Sequence, residues 1–519
     1  MTPPEGVQCS QAQLGPVLLL KKENRVSSCD QNTRICELES TCIDATCKNG
    51  IYSTKYFDVK GVVTECNNFR FFDKIWSPVN PTATDLTYDM LVAINNLNKY
   101  TELLSAIGVY ADGLDKIIYK KPTIEVATAD AANAFFMPDV FGIFFGYVRN
   151  MCGFGGDGDV VVHELTHLLT FSKNEEVGSS YNDIEGPAIH EALSDVAAAI
   201  FFDDPQIGES VVRCLGVSQN ESPELGLRTV YVPQGSLFFP SEGHARSEMY
   251  SPTLWTTYRK MEELLGDKQL AREAMLILIN KIADFLPAVP QKGDFVKAFY
   301  NALVDFSKDP KFAGKYRFDP SIAMNAFLDR AKFDQLIPNN IASVKAATTF
   351  YPYTPNPLDE ISRRTTPSKR FEKKYERGNV VYYQLYLNNI PVDGEGIRFV
   401  RTSLGTQMIE SVGSEPKTII KTPPMTPESA WSYIGKKLTK PEFQKMFEYQ
   451  IKMGAVTRKE VEENYELVKK RCSEPMPPVE TVYLSGKTNL QYKFKVNGLM
   501  TFYIDTVDRS ISLSRQKFY

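Results

Sequence analysis

The sequence predicts an α+β fold with more than one domain. Its 519 residues exceed the length at which a single hydrophobic core stops growing, and 43% of them are hydrophobic, as in ordinary globular cores. Apolar residues recur at helical spacing over residues 88–107, which indicates a helix. Residues 380–387 are rich in β-branched and aromatic side chains, which indicates a strand.

Net charge and hydropathy argue against two classes of partner. The formal net charge is −4 and the pI is about 5.9, so nothing suggests binding to nucleic acid. No apolar run approaches the roughly 18 residues of a membrane-spanning helix. We therefore expect neither a nucleic-acid partner nor a membrane span.

The nine cysteines are concentrated near the amino terminus. None forms a C-x-x-C pair, which argues against a structural zinc knuckle and favours a disulfide-stapled segment, typical of an oxidising compartment. Cys152, Cys214 and Cys472 lie apart from it, and because the total is odd, at least one thiol is free or pairs between molecules. The cysteines of this segment, bounded at residues 1–70, are Cys9, Cys29, Cys36, Cys42, Cys47 and Cys66.

Two of the four histidines lie in one pentapeptide, His163-Glu164-Leu165-Thr166-His167. Positions i and i+4 of a helix share a face, so both imidazoles can reach a single metal ion. Glu164 then lies beside that metal, where a general base for a bound water is needed. The pattern H-E-x-x-H is typical of zinc metallopeptidases.

The third metal ligand is predicted on a second helix. The longer motif with a third histidine shortly after the pentapeptide is absent, so we expect a glutamate. Gly186-Pro187 predicts a helix start. Glu191 and Asp195 then share a face, so Glu191 can bind the metal while Asp195 accepts a hydrogen bond from a ligand histidine. Glu185 is the other nearby candidate for the third ligand.

H-E-L-T-H, followed by the segment E-A-L-S-D that begins at Glu191, resembles the thermolysin-type metallopeptidases and the related fungalysins. The resemblance implies a catalytic domain of two lobes with zinc in the cleft between them. It implies a strand-rich lobe with the zinc helix over 71–175 and a mainly helical lobe over 176–345. The proline-rich stretch 351–357 and the charged run 363–377 predict a linker over 346–377.

The resemblance also implies residues that bind substrate and stabilise the transition state. Asn133 and Ala134 match the family's edge strand, along which a substrate pairs through backbone hydrogen bonds. His244 matches the histidine that donates to the developing oxyanion. Arg213 and Tyr181 match residues that assist it.

His190 stands where the family has an asparagine, next to the third ligand. One interpretation is a hydrogen-bond partner of His167, and the other is an additional or alternative metal ligand.

A calcium cluster beside the zinc site is also implied by the resemblance. Asp159, Asp204 and Glu209 match parts of it, whereas Phe202 and Gln206 fall near positions where carboxylates are expected. Calcium needs roughly 6–8 oxygen ligands, so we expect one weakened calcium site or none.

Residues 378–519 resemble the propeptide module of thermolysin and fungalysin precursors. The similarity is carried by 380–397, which contains Ile390-Pro391-Val392, and by 490–505, with helices predicted between them at 429–438, 442–453 and 459–471. In the family this module precedes the catalytic domain, whereas here it follows. We hypothesise that it covers the cleft, as in a zymogen, or assists folding; the alternative is an unrelated accessory domain that binds substrate or cell wall.

The resulting expectation is a secreted zinc endopeptidase, extracellular or periplasmic, that acts on proteins or peptides with Glu164 as general base. The amino terminus lacks the features of a signal peptide, so we expect that the signal has been removed. One alternative is a gluzincin aminopeptidase, although no G-A-M-E-N-like segment is present. The other is a catalytically silent or self-inhibited binding protein on the same fold.

Overall fold

The chain adopts an α+β fold, as predicted. Tyr181, Arg213 and part of the cysteine-rich segment lie outside the residues that the structure describes. None of the described helices is long and apolar enough to cross a lipid bilayer. The structure, a computed structural model, describes residues 14–20, 38–61, 85–109, 120–130, 133–138, 140–148, 152–178, 184–209, 211, 227–231, 243–411, 425–447, 458–484, 489–496 and 500–515.

Strands dominate the first part of the chain. They are β1 (Leu14–Leu20), β2 (Leu38–Ile43), β3 (Thr46–Lys48), β4 (Ile51–Ser53), β5 (Asp58–Gly61), β6 (Thr123–Asp130), β7 (Ala134–Met137), β8 (Gly142–Val148) and β9 (Cys152–Gly153). Strands β1 and β2 pair with each other. The others form a seven-stranded sheet of order β3-β4-β5-β6-β8-β7, with β9 paired to β8. Within the described part of the chain, strand β7 is therefore an edge strand of this sheet.

The predicted boundary at residue 70 divides this sheet. Strands β3, β4 and β5 come from the cysteine-rich segment, and β5 pairs in parallel with β6. Strands of three or four residues are too short to show a periodic pattern, so the sequence of this segment indicates disulfides and not strands. Cys42 and Cys47 are each disulfide-bonded and Cys472 is a free thiol, while the stapling of the other cysteines of the segment stays a prediction.

One helix lies between β5 and β6, and two helices after β9 carry the predicted metal-binding segments. Helix α1 (Asp85–Ala106) corresponds to the helix predicted over 88–107. Helix α2 (Gly158–Lys173) begins after Asp157, whose side chain accepts two backbone N–H groups of the first turn. Helix α3 (Glu185–Phe202) has Pro187 in its first turn, as predicted. It is buried along most of its length, and its buried residues include polar ones such as His190, Glu191 and Asp195.

The next part of the chain is mainly helical. Two short strands, β10 (Gln206–Ile207) and β11 (Arg228–Thr229), pair antiparallel after α3. The helices are α4 (Gly243–Ser247), α5 (Ser251–Leu265), α6 (Lys268–Phe285), α7 (Lys292–Lys308), α8 (Pro310–Ala313), α9 (Pro320–Phe333) and α10 (Ile341–Ala347).

A second sheet, of eight strands, dominates the remainder of the chain. Its order is β12-β13-β14-β16-β17-β18-β19, with β15 paired to β14. The elements are α11 (Pro357–Arg364), β12 (Lys369–Arg377), β13 (Val380–Leu387), β14 (Ile390–Thr402), β15 (Gly405–Ser411), α12 (Pro427–Lys437), α13 (Lys440–Met446), α14 (Arg458–Cys472), β16 (Val479–Leu484), β17 (Leu490–Val496), β18 (Met500–Asp505) and β19 (Ile511–Arg515).

The prediction of a linker over 346–377 differs from the structure, because this segment contains α11 and β12. In β12 the side chains of Phe371 and Tyr375 are buried, while most charged residues between and around them are exposed. Edge strands often carry charged side chains that discourage further pairing, and this composition resembles that of a linker.

The second sheet shares a hydrophobic core with the helical part of the chain. Tyr375, Val380 and Tyr382 belong to the core cluster that includes residues of α2, α3 and α6. A separate core lies between helices α12–α14 and strands β17 and β18. The sheet is therefore packed on the helical part of the chain through β12, β13 and β14.

Candidate metal centre

His163, His167 and Glu191 bring their ligand atoms together, and all three side chains are buried. Nε2 of His163 lies 2.8 Å from Nε2 of His167 and 3.3 Å from Oε2 of Glu191. Nε2 of His167 lies 3.6 Å from Oε1 of Glu191. Two ligands of a tetrahedral zinc ion, each at 2.0–2.1 Å, are about 3.3 Å apart. The three separations lie around this value, so the residues fit a zinc ion with three protein ligands.

The electrostatics of the site match those of a metal centre. Burial would raise the pKa of Glu191, but His244 and His163 hold it below its usual range, so the carboxylate is ionised. Burial lowers the pKa of His163, whereas Asp195 and Glu191 raise it, to about 9. A proton and a metal ion therefore compete for this imidazole.

Asp195, predicted to be a hydrogen-bond partner of a ligand histidine, lies next to His163. Its Oδ1 lies 2.8 Å from Nδ1 of His163, so the imidazole donates through Nδ1 and presents Nε2 to the centre. The carboxylate is held in turn by Arg228, which donates from Nε to Oδ2 at 2.9 Å and from Nη2 to Oδ1 at 2.7 Å. Nη2 of Arg228 also lies 3.7 Å from Oε2 of Glu191.

Two side chains of α3 approach the other ligand histidine. Oγ of Ser194 lies 3.1 Å from Nδ1 of His167. Nδ1 of His190 lies 3.4 Å from the same atom, and the two imidazole rings are stacked. His190 is thus placed beside His167 rather than among the three clustered ligand atoms. Sequence reasoning missed Ser194, although its spacing of three residues from Glu191 places both on one helix face.

Glu164 lies in the same buried region. Its Oε2 atom is buried and has no hydrogen-bond partner among the residues that the structure describes. Burial raises its pKa to about 8, although the positive charge of His163 acts in the opposite direction. An unpaired buried carboxylate oxygen is costly and is common where a ligand or reacting group completes the site.

His244 lies at the more accessible side of the centre. Its side chain is 43% exposed, and its Nε2 is 3.2 Å from Oε1 of Glu191. Glu185, the other candidate third ligand, lies outside the cluster. Its carboxylate accepts hydrogen bonds from Arg246 and Tyr250 instead. Arg246 thereby lowers its pKa, despite partial burial.

The predicted substrate strand is an edge of the first sheet. Ala134 begins β7, and Asn133 precedes it with an exposed side chain. Arg213 and Tyr181 are outside the described residues, and the arginine that the structure places at the site is Arg228. Sequence reasoning missed it because no local pattern links residue 228 to α2 or α3.

The residues proposed for calcium do not gather into a cluster comparable with the first. Within the ranges that the structure describes, His163, His167 and Glu191 are the only group of acidic, histidine or cysteine residues with that geometry. Asp159 and Glu209 are buried, and Asp204 accepts the backbone N–H of Gln206 at 3.1 Å. A calcium site thus stays a prediction.

Comparisons with known proteins add little to this geometry. No family model matches the chain, and no curated protein matches it. Among solved structures, it resembles the precursor of protealysin, a metalloproteinase from Serratia proteamaculans, with a TM-score of 0.33 and 16% sequence identity. The similarity covers 49% of this chain and 81% of that chain. So weak a likeness carries no functional argument, and the function is inferred from the site itself.

Proposed function

We propose that the protein is a zinc-dependent endopeptidase of the thermolysin type. The observation that carries this proposal is the convergence of His163, His167 and Glu191 beside the unpaired carboxylate of Glu164. Two imidazoles and one carboxylate form the donor set of a catalytic zinc site that keeps a further position open. Burial of these two histidines and two glutamates at one point would be costly without a bound cation.

Zinc bound by these three ligands would lower the pKa of a coordinated water, polarise a carbonyl group and favour the ionised form of Glu164. The carboxylate of Glu164 accepts a proton from the attacking water and donates it to the leaving nitrogen. His244 is the partly exposed donor that faces the developing oxyanion. Arg228 takes the supporting role that the sequence suggested for Arg213, and a role for Tyr181 remains part of the proposal.

Strand β7 is the proposed binding surface for an extended peptide. An edge strand offers unpaired backbone groups to which a peptide can add as a further strand. Ala134 and Asn133 lie at the beginning of this edge. We further propose that the enzyme prefers a bulky apolar residue just after the cleaved bond. We also propose that it acts outside the cell on protein or peptide substrates.

The test is cleavage of casein, an unstructured protein, by the full chain loaded with zinc. Glu164→Gln should abolish cleavage because the substitution removes the base but keeps the shape of the side chain. Added chelator should abolish it as well. Glu102→Gln is the matched control, because Glu102 is an exposed glutamate on α1, and it should cleave at the wild-type rate. Cleavage that survives Glu164→Gln would refute the mechanism, and mass spectrometry of the fragments reports the residue preference.

A further inference from the structure

The carboxyl end of the metal-binding helix α2 is in contact with the second sheet. Helix α2 ends at Lys173, and the chain continues through Asn174 to Glu175 and Glu176. The end of a helix carries a partial negative charge, so two glutamates immediately after it are unfavourable unless cations lie near. The cations in contact with this end come from β12 and β14, about 200 residues later in the chain.

Arg398 of β14 makes the central contact. Its side chain is among the largest fully buried ones, with 1% of the residue exposed. The guanidinium donates to the backbone carbonyl of Lys173 at 3.3 Å and to the side-chain oxygen of Asn174. It also donates to the hydroxyl of Tyr375 in β12 at 2.9 Å. A charged group of the sheet thus satisfies acceptors at the end of α2 inside the protein, where water cannot replace it.

Two further cations of β12 surround this contact. Arg377 donates to the carboxylate of Glu175 at 2.7 Å and to the carbonyl of Ser172 at 3.1 Å. Lys374 pairs with the buried carboxylate of Glu176 at 2.8 Å. Although burial lowers the pKa of Lys374, the charges of Glu176 and Glu175 raise it above its usual range.

The helical part of the chain contacts the same helix end. Nζ of Lys173 donates to the carboxylate of Asp284 at 3.1 Å, and the side chain of Asn174 donates to the carbonyls of Ala283 and Leu286. The end of α2 is therefore held by both helix α6 and the sheet. Buried, charged contacts of this kind are typical of a permanent interface.

We propose that the second sheet is a permanent brace of the metal-binding helix and that Arg398 is a positioning residue for the metal centre. His167 lies about 9 Å along the helix axis from Lys173, so a displacement of the helix end is transmitted to the ligand through rigid backbone. The brace keeps Nε2 of His167 at its distance from Glu191, and so sets the affinity for a divalent cation. This inference rests on the metal centre of the proposed function.

The test uses the full chain and measures two quantities for each variant. Zinc affinity is measured by competition with a chelating dye, and hydrogen exchange of the α2 backbone amides is measured on the metal-free protein. Arg398→Met should weaken zinc binding by about 10-fold or more, by analogy with the loss of groups that orient ligands. It should also accelerate exchange in the last turns of α2. Arg398→Lys keeps the charge but loses the several N–H donors of the guanidinium. Its zinc affinity and its exchange rate should lie between those of wild type and Arg398→Met.

Lys373→Met is the matched control. Lys373 precedes Lys374 on β12, its side chain is 50% exposed, and it pairs with Glu376 within the sheet. The substitution should change neither zinc affinity nor exchange, because the side chain of Lys373 is half exposed and its ion pair lies within β12, not at the end of α2.

If Arg398→Met does not fold, a charge reversal between Glu175 and Arg377 tests whether the sheet braces α2. Glu175→Arg and Arg377→Glu should each weaken zinc binding and accelerate exchange in α2, and the double variant should recover much of both. Equal zinc affinity and equal exchange in Arg398→Met and wild type, or a double variant no better than the single ones, would overturn the brace. If the wild type binds no zinc, the proposed function fails, and hydrogen exchange alone still decides whether the sheet holds α2.

Discussion

Arg228 donates two hydrogen bonds to Asp195, from Nε at 2.9 Å to Oδ2 and from Nη2 at 2.7 Å to Oδ1. The same carboxylate accepts from Nδ1 of His163. Burial would raise the pKa of Asp195, but Arg228 and His163 hold it far below its usual range. The aspartate thus stays charged, and the orientation of a metal ligand depends on an arginine from a distant short strand.

Removal of Arg228 should destabilise the protein. In Arg228→Met, the buried carboxylate of Asp195 loses both hydrogen bonds from Arg228 and keeps the one from His163, and loss of one partner of a buried pair costs about 3 kcal/mol. Urea unfolding of the metal-free protein measures this change. Adding Asp195→Asn to the variant should recover part of the loss, because no unpaired charge then remains. An unchanged unfolding free energy in Arg228→Met would show that the pair has no structural role.

Removal of Ser194 should weaken metal binding. When Nε2 of His167 binds a metal, its Nδ1 carries a proton and needs an acceptor, and Oγ of Ser194 at 3.1 Å is closer than Nδ1 of His190 at 3.4 Å. Ser194→Ala should therefore lower zinc affinity by about 10-fold. His190→Gln should have a smaller effect. Dye competition measures both affinities. A larger loss of zinc affinity in His190→Gln than in Ser194→Ala would make His190 the group that orients His167.

Stability should depend on pH through Asp157. Burial and the carboxylate of Glu209 raise its pKa to about 7, so the folded state favours its protonated form. The stability from this group is complete below about pH 4, the pKa in the unfolded chain, and is lost as pH rises through 7. Asp157→Asn keeps an N-cap acceptor and should be more stable than wild type by roughly 2–4 kcal/mol above pH 7, with little difference at pH 4.

Thermal or urea unfolding between pH 4 and pH 8 checks this prediction. Glu209→Gln should reduce the pH dependence without abolishing it, because burial of Asp157 remains. Parallel stability curves for wild type and Asp157→Asn across this range would contradict the assignment.

The features that could be predicted from the sequence are those fixed by spacing within one element. The face shared by His163 and His167, and that shared by Glu191 and Asp195, follow from the geometry of a helix, and the structure brings the two faces together. Strand β13 spans the residues predicted for it because most of its side chains are β-branched or aromatic. The helix expected over 442–453 ends at Met446, and residues 448–457 lie outside the described part of the chain.

The features that could not be predicted depend on contacts between distant segments. Arg228 reaches the site because β11 pairs with β10, and strands of two residues have no periodicity. The role of Arg398 is equally hidden, since its partners at the end of α2 lie more than 200 residues earlier. Local patterns specify faces of helices and strands, whereas tertiary packing determines which faces meet.

In the proposed mechanism, one zinc ion at His163, His167 and Glu191 works with Glu164 to cleave peptides. The most direct measurement is a titration of metal-stripped protein with zinc, in which bound zinc and casein cleavage are followed together. Cleavage should rise in proportion to the first equivalent, Glu164→Gln should bind that equivalent without cleaving, and Glu191→Gln should lose tight binding. Cleavage by the metal-stripped chain, or tight binding that survives Glu191→Gln, would contradict the account.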